Sequence, residues 1–193
     1  QPGPIERFLP TGLDGDTIVS LLSLPSQNIE ALSLGLLSSD GRFKRIPLSE
    51  VVDLSGRATS VLKLKEGVEL NSAVICRDEG TLMLMSDIGR LLRLRVTEEA
   101  LPLMGRLAQG PMTMRLLPGE QIVGAVCTEQ TPLMLITRQG VIMRIDSSGM
   151  RYNQRGDLGS MAVQIDAESD RLVGISTGPG LVGVRTSTDR HGR

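Results

Sequence analysis

One motif recurs three times along this chain, and its spacing restricts the fold more than any other property of the sequence. An apolar strand runs into a glycine turn, and an arginine follows four residues after the glycine. The copies are LGLLSSDGRFKRI (Leu34 to Ile46), LMLMSDIGRLLRL (Leu82 to Leu94) and LMLITRQGVIMRI (Leu133 to Ile145). Gly41 and Gly89 lie 48 residues apart and Gly89 and Gly140 lie 51 apart, a period that belongs to propeller-like repeats rather than to one irregular globule. Stacked repeats share a continuous core, so residues 1–193 read as a single array.

Each repeat divides in the same way. A first strand (33–38, 82–86, 133–137), a polar glycine turn and a second strand carrying Arg45, Arg93 or Arg144 predict a β-hairpin. A looser segment marked by Gly56 and Arg57, Gly105 and Arg106, or Arg155 and Gly156 follows. A third strand is expected through TSVLKL, PMTMRLL and SMAVQI, and a fourth through AVIC, IVGAVC and LVGIS. Four strands make a blade-sized sheet. Repeats are placed at about 32–80, 81–130 and 131–178, with partial blades at 10–24 and 181–187 and a disordered tail at 188–193. Helix is confined to one turn between Val96 and Met104, and the fold class is all-β.

Composition narrows the core and the chemistry. Aromatic residues are 2% of the chain and apolar residues 40%, so Leu, Val, Ile and Met must fill the blades, Met being well suited to irregular gaps. Net charge is -1 and gives no global attraction to nucleic acid or an anionic membrane. The cations are nonetheless unusual, 18 Arg against three Lys. Arginine's planar fork suits phosphates, carboxylates and interfaces; a GC-rich genome's codon bias produces the same imbalance. Cys76 and Cys127 sit near the ends of corresponding apolar runs and read as buried free thiols of a reducing compartment. No apolar run approaches the length of a membrane span, and residues 1–10 lack a signal-peptide core.

Candidate catalytic groups are few. Tyr152 is the one tyrosine and lies in a loop; His191 stands in the tail without a Ser, Cys or carboxylate partner. Adjacent acids such as Asp78/Glu79 and Glu98/Glu99 would face opposite sides of a strand. Gly178, Pro179 and Gly180 form a turn without the Lys and Ser/Thr of a phosphate loop. No cofactor, metal site or catalytic residue is expected.

The combined pattern resembles the C-terminal domain of the bacterial type IIA topoisomerase A subunit, the domain found in DNA gyrase and topoisomerase IV. Gly41, Arg42, Phe43, Lys44, Arg45 and Ile46, then Gly56, Arg57 and Val61 to Gly67, carry the first copy. Gly89, Arg90, Leu92, Arg93, Gly105, Arg106, Gly110 and the Pro118, Gly119, Glu120 turn carry the second; Gly140, Arg144, Arg155, Gly159 and Asp170 carry the third. The resemblance implies a β-pinwheel whose blades exchange strands and whose basic rim is wrapped by double-stranded DNA. It also implies a cytoplasmic, nucleoid-associated setting, and two partners: the ATPase B subunit, together with the breakage-reunion core of the same polypeptide. The glycine- and arginine-rich box of gyrase is matched only partly by Gln154, Arg155, Gly156, Asp157, Leu158 and Gly159, which also reads as an ordinary blade linker.

Arginines at fixed places in each blade become evenly spaced around a disc and can follow phosphates without reading bases. The expected contacts are Arg42, Lys44, Arg45 and Arg57 in the first blade, Arg90, Arg93, Arg95 and Arg106 in the second, and Arg144, Arg151 and Arg155 in the third. Two alternatives stay open. Arg45, Arg93 and Arg144 could instead pair with acids such as Asp53, Glu98 or Asp146 to knit blades together, and the array could be a protein-interaction module that has lost DNA wrapping.

Overall fold

The computed structural model describes residues 15–52, 58–128 and 132–177, with positions 7 and 9 besides. In chain order the elements are β1 (Leu32–Ser38), β2 (Phe43–Pro47), α1 (Ser49–Val52), β3 (Leu70–Arg77), β4 (Thr81–Ser86), β5 (Arg90–Arg95) and β6 (Ile122–Cys127). They continue with β7 (Pro132–Thr137), β8 (Ile142–Asp146), β9 (Ser160–Met161) and β10 (Leu172–Thr177). The roles expected of Asp53, Gly56 and Arg57, the partial blade at 181–187 and the tail at 188–193 lie outside the described residues.

The three motif copies form the antiparallel hairpins β1–β2, β4–β5 and β7–β8. Their turns need a left-handed residue in the last loop position, and Gly41, Gly89 and Gly140 supply it at φ of 85°, 97° and 84°. Such a glycine closes a three-residue hairpin loop whose twist matches the strands. In register, Arg45, Arg93 and Arg144 stand opposite Gly35, Met83 and Met134, so the arginines occupy one equivalent position. The other flank of each first strand is taken by β3, β6 or β10.

The third strand departs from the expectation. Residues 58–65 carry no strand, PMTMRLL contributes one bridge from Met112 to Arg42, and SMAVQI contributes only β9. What survives is donated to the preceding blade: β9 of the third repeat adds to β5, giving the order β6-β4-β5-β9. The sheet is thus four-stranded only where the next repeat completes it. Helix differs too. The turn at 97–101 closes with the Leu101 amide on the Thr97 carbonyl, and the assigned helix α1 lies at the corresponding place in the first repeat. Residues 15–24 run beside β3 without a ladder, Ser20 Oγ accepting from the Ala73 amide at 3.1 Å.

Blades stack face to face, and this explains why their strands are apolar on both sides. Leu82, Leu84, Leu92 and Leu94 face a core shared with Leu37, Phe43 and Cys76 of the first blade. Met83, Met85 and Leu91 point the other way, to a core shared with Leu133, Leu135 and Leu172 of the third. A third cluster, around Leu34, Leu36, Ile46 and Leu48, is covered by Leu22, Val61 and Leu62. Burying one such side chain contributes about 1.5–3 kcal/mol, so the seams between blades hold the array.

Candidate nucleic-acid interface

The outer flank of each hairpin is where the repeats join, and two joints are complete. At the first, the Thr113 and Met114 amides both donate to the Gly41 carbonyl at 3.0 Å. At the second, the Ala162 and Val163 amides donate to the Gly89 carbonyl at 2.9 and 3.4 Å. The approach is close enough to demand glycine on both sides. A Cβ on Gly41 would lie 2.1 Å from the Met114 carbonyl oxygen, and one on Gly89 would lie 2.1 Å from that of Val163. A Cβ on Gly110 or Gly159 of the donor would meet the Phe43 or Leu91 carbonyl oxygen at 2.7 and 2.5 Å.

Two of the three motif arginines, Arg45 and Arg93, belong to these joints. Arg45 is 2% exposed; its Nε donates to the Leu101 carbonyl at 2.6 Å and its guanidinium reaches Asp78 at 2.8 Å and Glu98 at 3.7 Å. Arg93 Nη1 donates to the carbonyls of Ser147, Ser148 and Met150 at 3.2, 3.0 and 2.6 Å. In both cases the acceptor turn belongs to the following repeat. Tyr152 completes the second joint, hydrogen-bonded to Thr81 at 2.8 Å, with the guanidinium carbons of Arg93 and Arg95 at 4.3 and 4.6 Å from its ring centroid. The Thr81 bond, aided by Arg93 and Arg95, holds its phenol pKa below the usual value.

Three more of the expected contacts are spent inside the fold. Lys44 is 1% exposed and its Nζ donates to the carbonyls of Val61, Arg106 and Ala108; loss of water around it lowers its pKa, with Glu50 opposing. Arg42 pairs with Asp40 at 3.2 Å and donates to the Gly110 carbonyl at 3.0 Å. Arg90 lies 3.6 Å from the buried Glu120. The blade-knitting alternative therefore describes Arg45, with Glu98 as a partner, while Arg93 knits through carbonyls rather than acids. Neither reading is legible from the motif alone, because the carbonyl acceptors are supplied by the neighbouring repeat.

Arg95, Arg106, Arg144, Arg151 and Arg155 keep exposed side chains. Arg106 and Arg155 ride on the equivalent loops that cross the outside of the preceding hairpin, and among the described residues Arg155 makes only a 3.5 Å contact with the Ala100 carbonyl. Arg115, which the motif reasoning passed over, is also exposed, and its amide donates to the Asp157 carbonyl in the loop that carries Arg155. Its place just after the docked Met114 was the available signal. Lys63, Lys65, Arg77 and Arg138 are exposed as well. The stretch Gln154 to Gly159 serves as a linker between joints, Gly156 donating to the Thr113 carbonyl at 2.8 Å.

A family model described as the DNA gyrase C-terminal domain, beta-propeller, matches residues 36–77, 80–129 and 131–177. Over 184 residues the chain is 28% identical to the A subunit of DNA topoisomerase 4 from Synechocystis, covering 88% of this chain and 20% of that protein. Over 146 residues it is 31% identical to the A subunit of DNA gyrase from Mycolicibacterium smegmatis, covering 75% and 17%. The chain thus spans about a fifth of the length of these curated relatives. In fold it is similar to the C-terminal domain of DNA topoisomerase IV, with a TM-score of 0.68 and 16% identity over 81% of this chain and 49% of that one. It is also similar to the E. coli ParC C-terminal domain, with a TM-score of 0.57 and 19% identity over 76% and 62%.

Proposed function

The chain belongs to the DNA gyrase C-terminal domain family of beta-propellers, and from that premise we propose that it is a duplex-binding domain of a type IIA topoisomerase A subunit. It performs no chemistry itself; it holds and bends a DNA segment for the breakage-reunion core of the same polypeptide, which works with an ATPase B subunit. The observation that supports this most directly is the family match joined to a surface on which Arg106, Arg151 and Arg155 remain exposed after the joints have consumed their neighbours. Guanidinium groups on successive outer loops track phosphates along a curved path and leave base edges unread.

Electrophoretic shift of a linear duplex of about 150 base pairs at rising salt tests the proposal. Each phosphate contact contributes about -0.9 to the slope of log K against log salt. Arg106→Ala with Arg155→Ala should flatten the slope by about 1.8. Absence of binding at low salt, or binding insensitive to salt, would sink it. Wrapping is read separately, as a change in linking number when a bound plasmid is relaxed.

A further inference from the structure

Cys76 and Cys127 serve neither the hairpin motif nor the rim, and strand register brings them together. Cys76 stands opposite Ser33 in the first blade and Cys127 opposite Leu82 in the second. Opposed residues of neighbouring strands share a face, and successive residues alternate between faces. Cys76 therefore lies on the face that Leu37 and Phe43 turn toward the second blade, and Cys127 on the face that Leu82 and Leu84 turn back. The two thiols meet across the seam and are hydrogen-bonded to each other. The corresponding places in the second seam hold Thr128, beside Thr81, and Thr177, opposite Leu133, so sulfur is no requirement of the repeat.

The pair is asymmetric. Cys76 is buried, and its sulfur packs so closely on Gly35 that a Cβ there would lie 3.0 Å from it. Cys127 is half-buried, where its place in an apolar run suggested full burial, and lines a cavity of about 470 Å³ together with Arg77, Gly80 and Thr128. A reagent from solution meets Cys127 first, and Arg77 on the same wall favours one that carries carboxylates. The hydrogen bond to Cys127, and then burial, push the Cys76 thiol pKa well up, so Cys76 keeps its proton until its neighbour has reacted.

We propose that Cys127 is a thiol-modification site for small disulfides bearing carboxylates, and that Cys76 resolves the adduct into a disulfide across the seam. The Cys127 thiolate attacks one sulfur of the reagent, forming a mixed disulfide and releasing one reagent thiolate. The hydrogen bond that held the Cys76 proton is thereby lost. Cys76 then gives up its proton and attacks the Cys127 sulfur, and the second reagent thiolate leaves. Two protein thiols are oxidised by two electrons, the external disulfide is reduced, and the two released thiolates take up the two protons. The new bond ties β3 to β6, which pack on each other, and pins the first seam shut.

The test treats the folded chain with dithiobis(nitrobenzoate), a disulfide bearing two carboxylates whose released thiol absorbs visible light. Two thiols released per chain are expected, with no label retained and a product lighter by two hydrogens. That product should gain about 5–15 °C in Tm until dithiothreitol restores the parent value. Cys76→Ala should release one thiol and keep one label, and Cys127→Ser should react only once unfolded in urea. One label retained on the parent chain would overturn the resolving role of Cys76. Two labels retained, no reaction in the folded chain, or disulfide-linked dimers would overturn the site itself. A cross-linked chain that melts at or below the parent temperature would overturn the bond as a clamp on the seam.

Discussion

Replacing Arg93 with Ala and, separately, Arg144 with Ala perturbs the same motif position in two settings. In the first, three carbonyls of the following repeat lose a charged donor. The Ser148 carbonyl is exposed and finds water, whereas those of Ser147 and Met150 are part-buried and replace the lost bond less easily. A charged hydrogen bond is worth about 1.5–3 kcal/mol net, which partial exposure reduces to about 1–1.5 kcal/mol for each of the two. Loss of the stacked guanidinium over Tyr152 adds about 0.5–1 kcal/mol. The sum is about 3 kcal/mol, or about 6–12 °C in Tm for a domain of this size. Arg144→Ala removes an exposed side chain without carbonyl partners among the described residues and should stay within about 0.5 kcal/mol of the parent. Urea unfolding of both variants reads the difference directly. Equal destabilisation of the two, or a loss below about 1 kcal/mol for Arg93→Ala, would refute the reading of this arginine as an inter-repeat clamp.

The glycines allow the same comparison. Gly89→Ala and Gly140→Ala both incur about 1–2 kcal/mol for a left-handed backbone, but only the former drives a Cβ into the Val163 carbonyl, so thermal melts should show it costing about 1–3 kcal/mol more. Lys44→Met strips the donor from three carbonyls and should destabilise by about 2–4 kcal/mol in urea unfolding, although the apolar stem is kept. Tyr152 is the only tyrosine, so phenolate absorbance near 295 nm reports it alone and its midpoint should fall below about 10. The sign follows from the lowered pKa. The contribution to stability is present above the unfolded value and fades as pH falls through the folded one. Arg95→Ala should move the midpoint upward.

Much of the fold was legible because hairpins are local. Short apolar runs, a glycine turn and a fixed step to arginine placed β1, β4 and β7 within a residue and put β2, β5 and β8 around Arg45, Arg93 and Arg144. The third strand was not legible, since its one bridge or two paired residues form with another repeat some seventy residues away, Arg42 with Met112 and Arg90 with Met161, and no local propensity announces such a partner. For the same reason the motif could mark Arg45, Arg93 and Lys44 as special without telling what they touch. A recurring cation in a recurring fold satisfies two demands, contact with a polyanion and contact with the next repeat. Only the position of neighbouring carbonyls distinguishes them. The cations left for the rim, Arg106, Arg151, Arg155 and Arg115, sit in loops where strand periodicity carries no information.

Both joints among the described residues point the same way, from one hairpin to the repeat that follows it. The middle repeat both receives β9 on its hairpin and lends residues 111–114 to the first blade, so it is held by two neighbours. The last hairpin is gripped on one flank among the described residues. Coupling between nearest neighbours then gives thermal opening a direction. Amide exchange should start at β8 and work backward, leaving β4 as the slowest clock in the molecule.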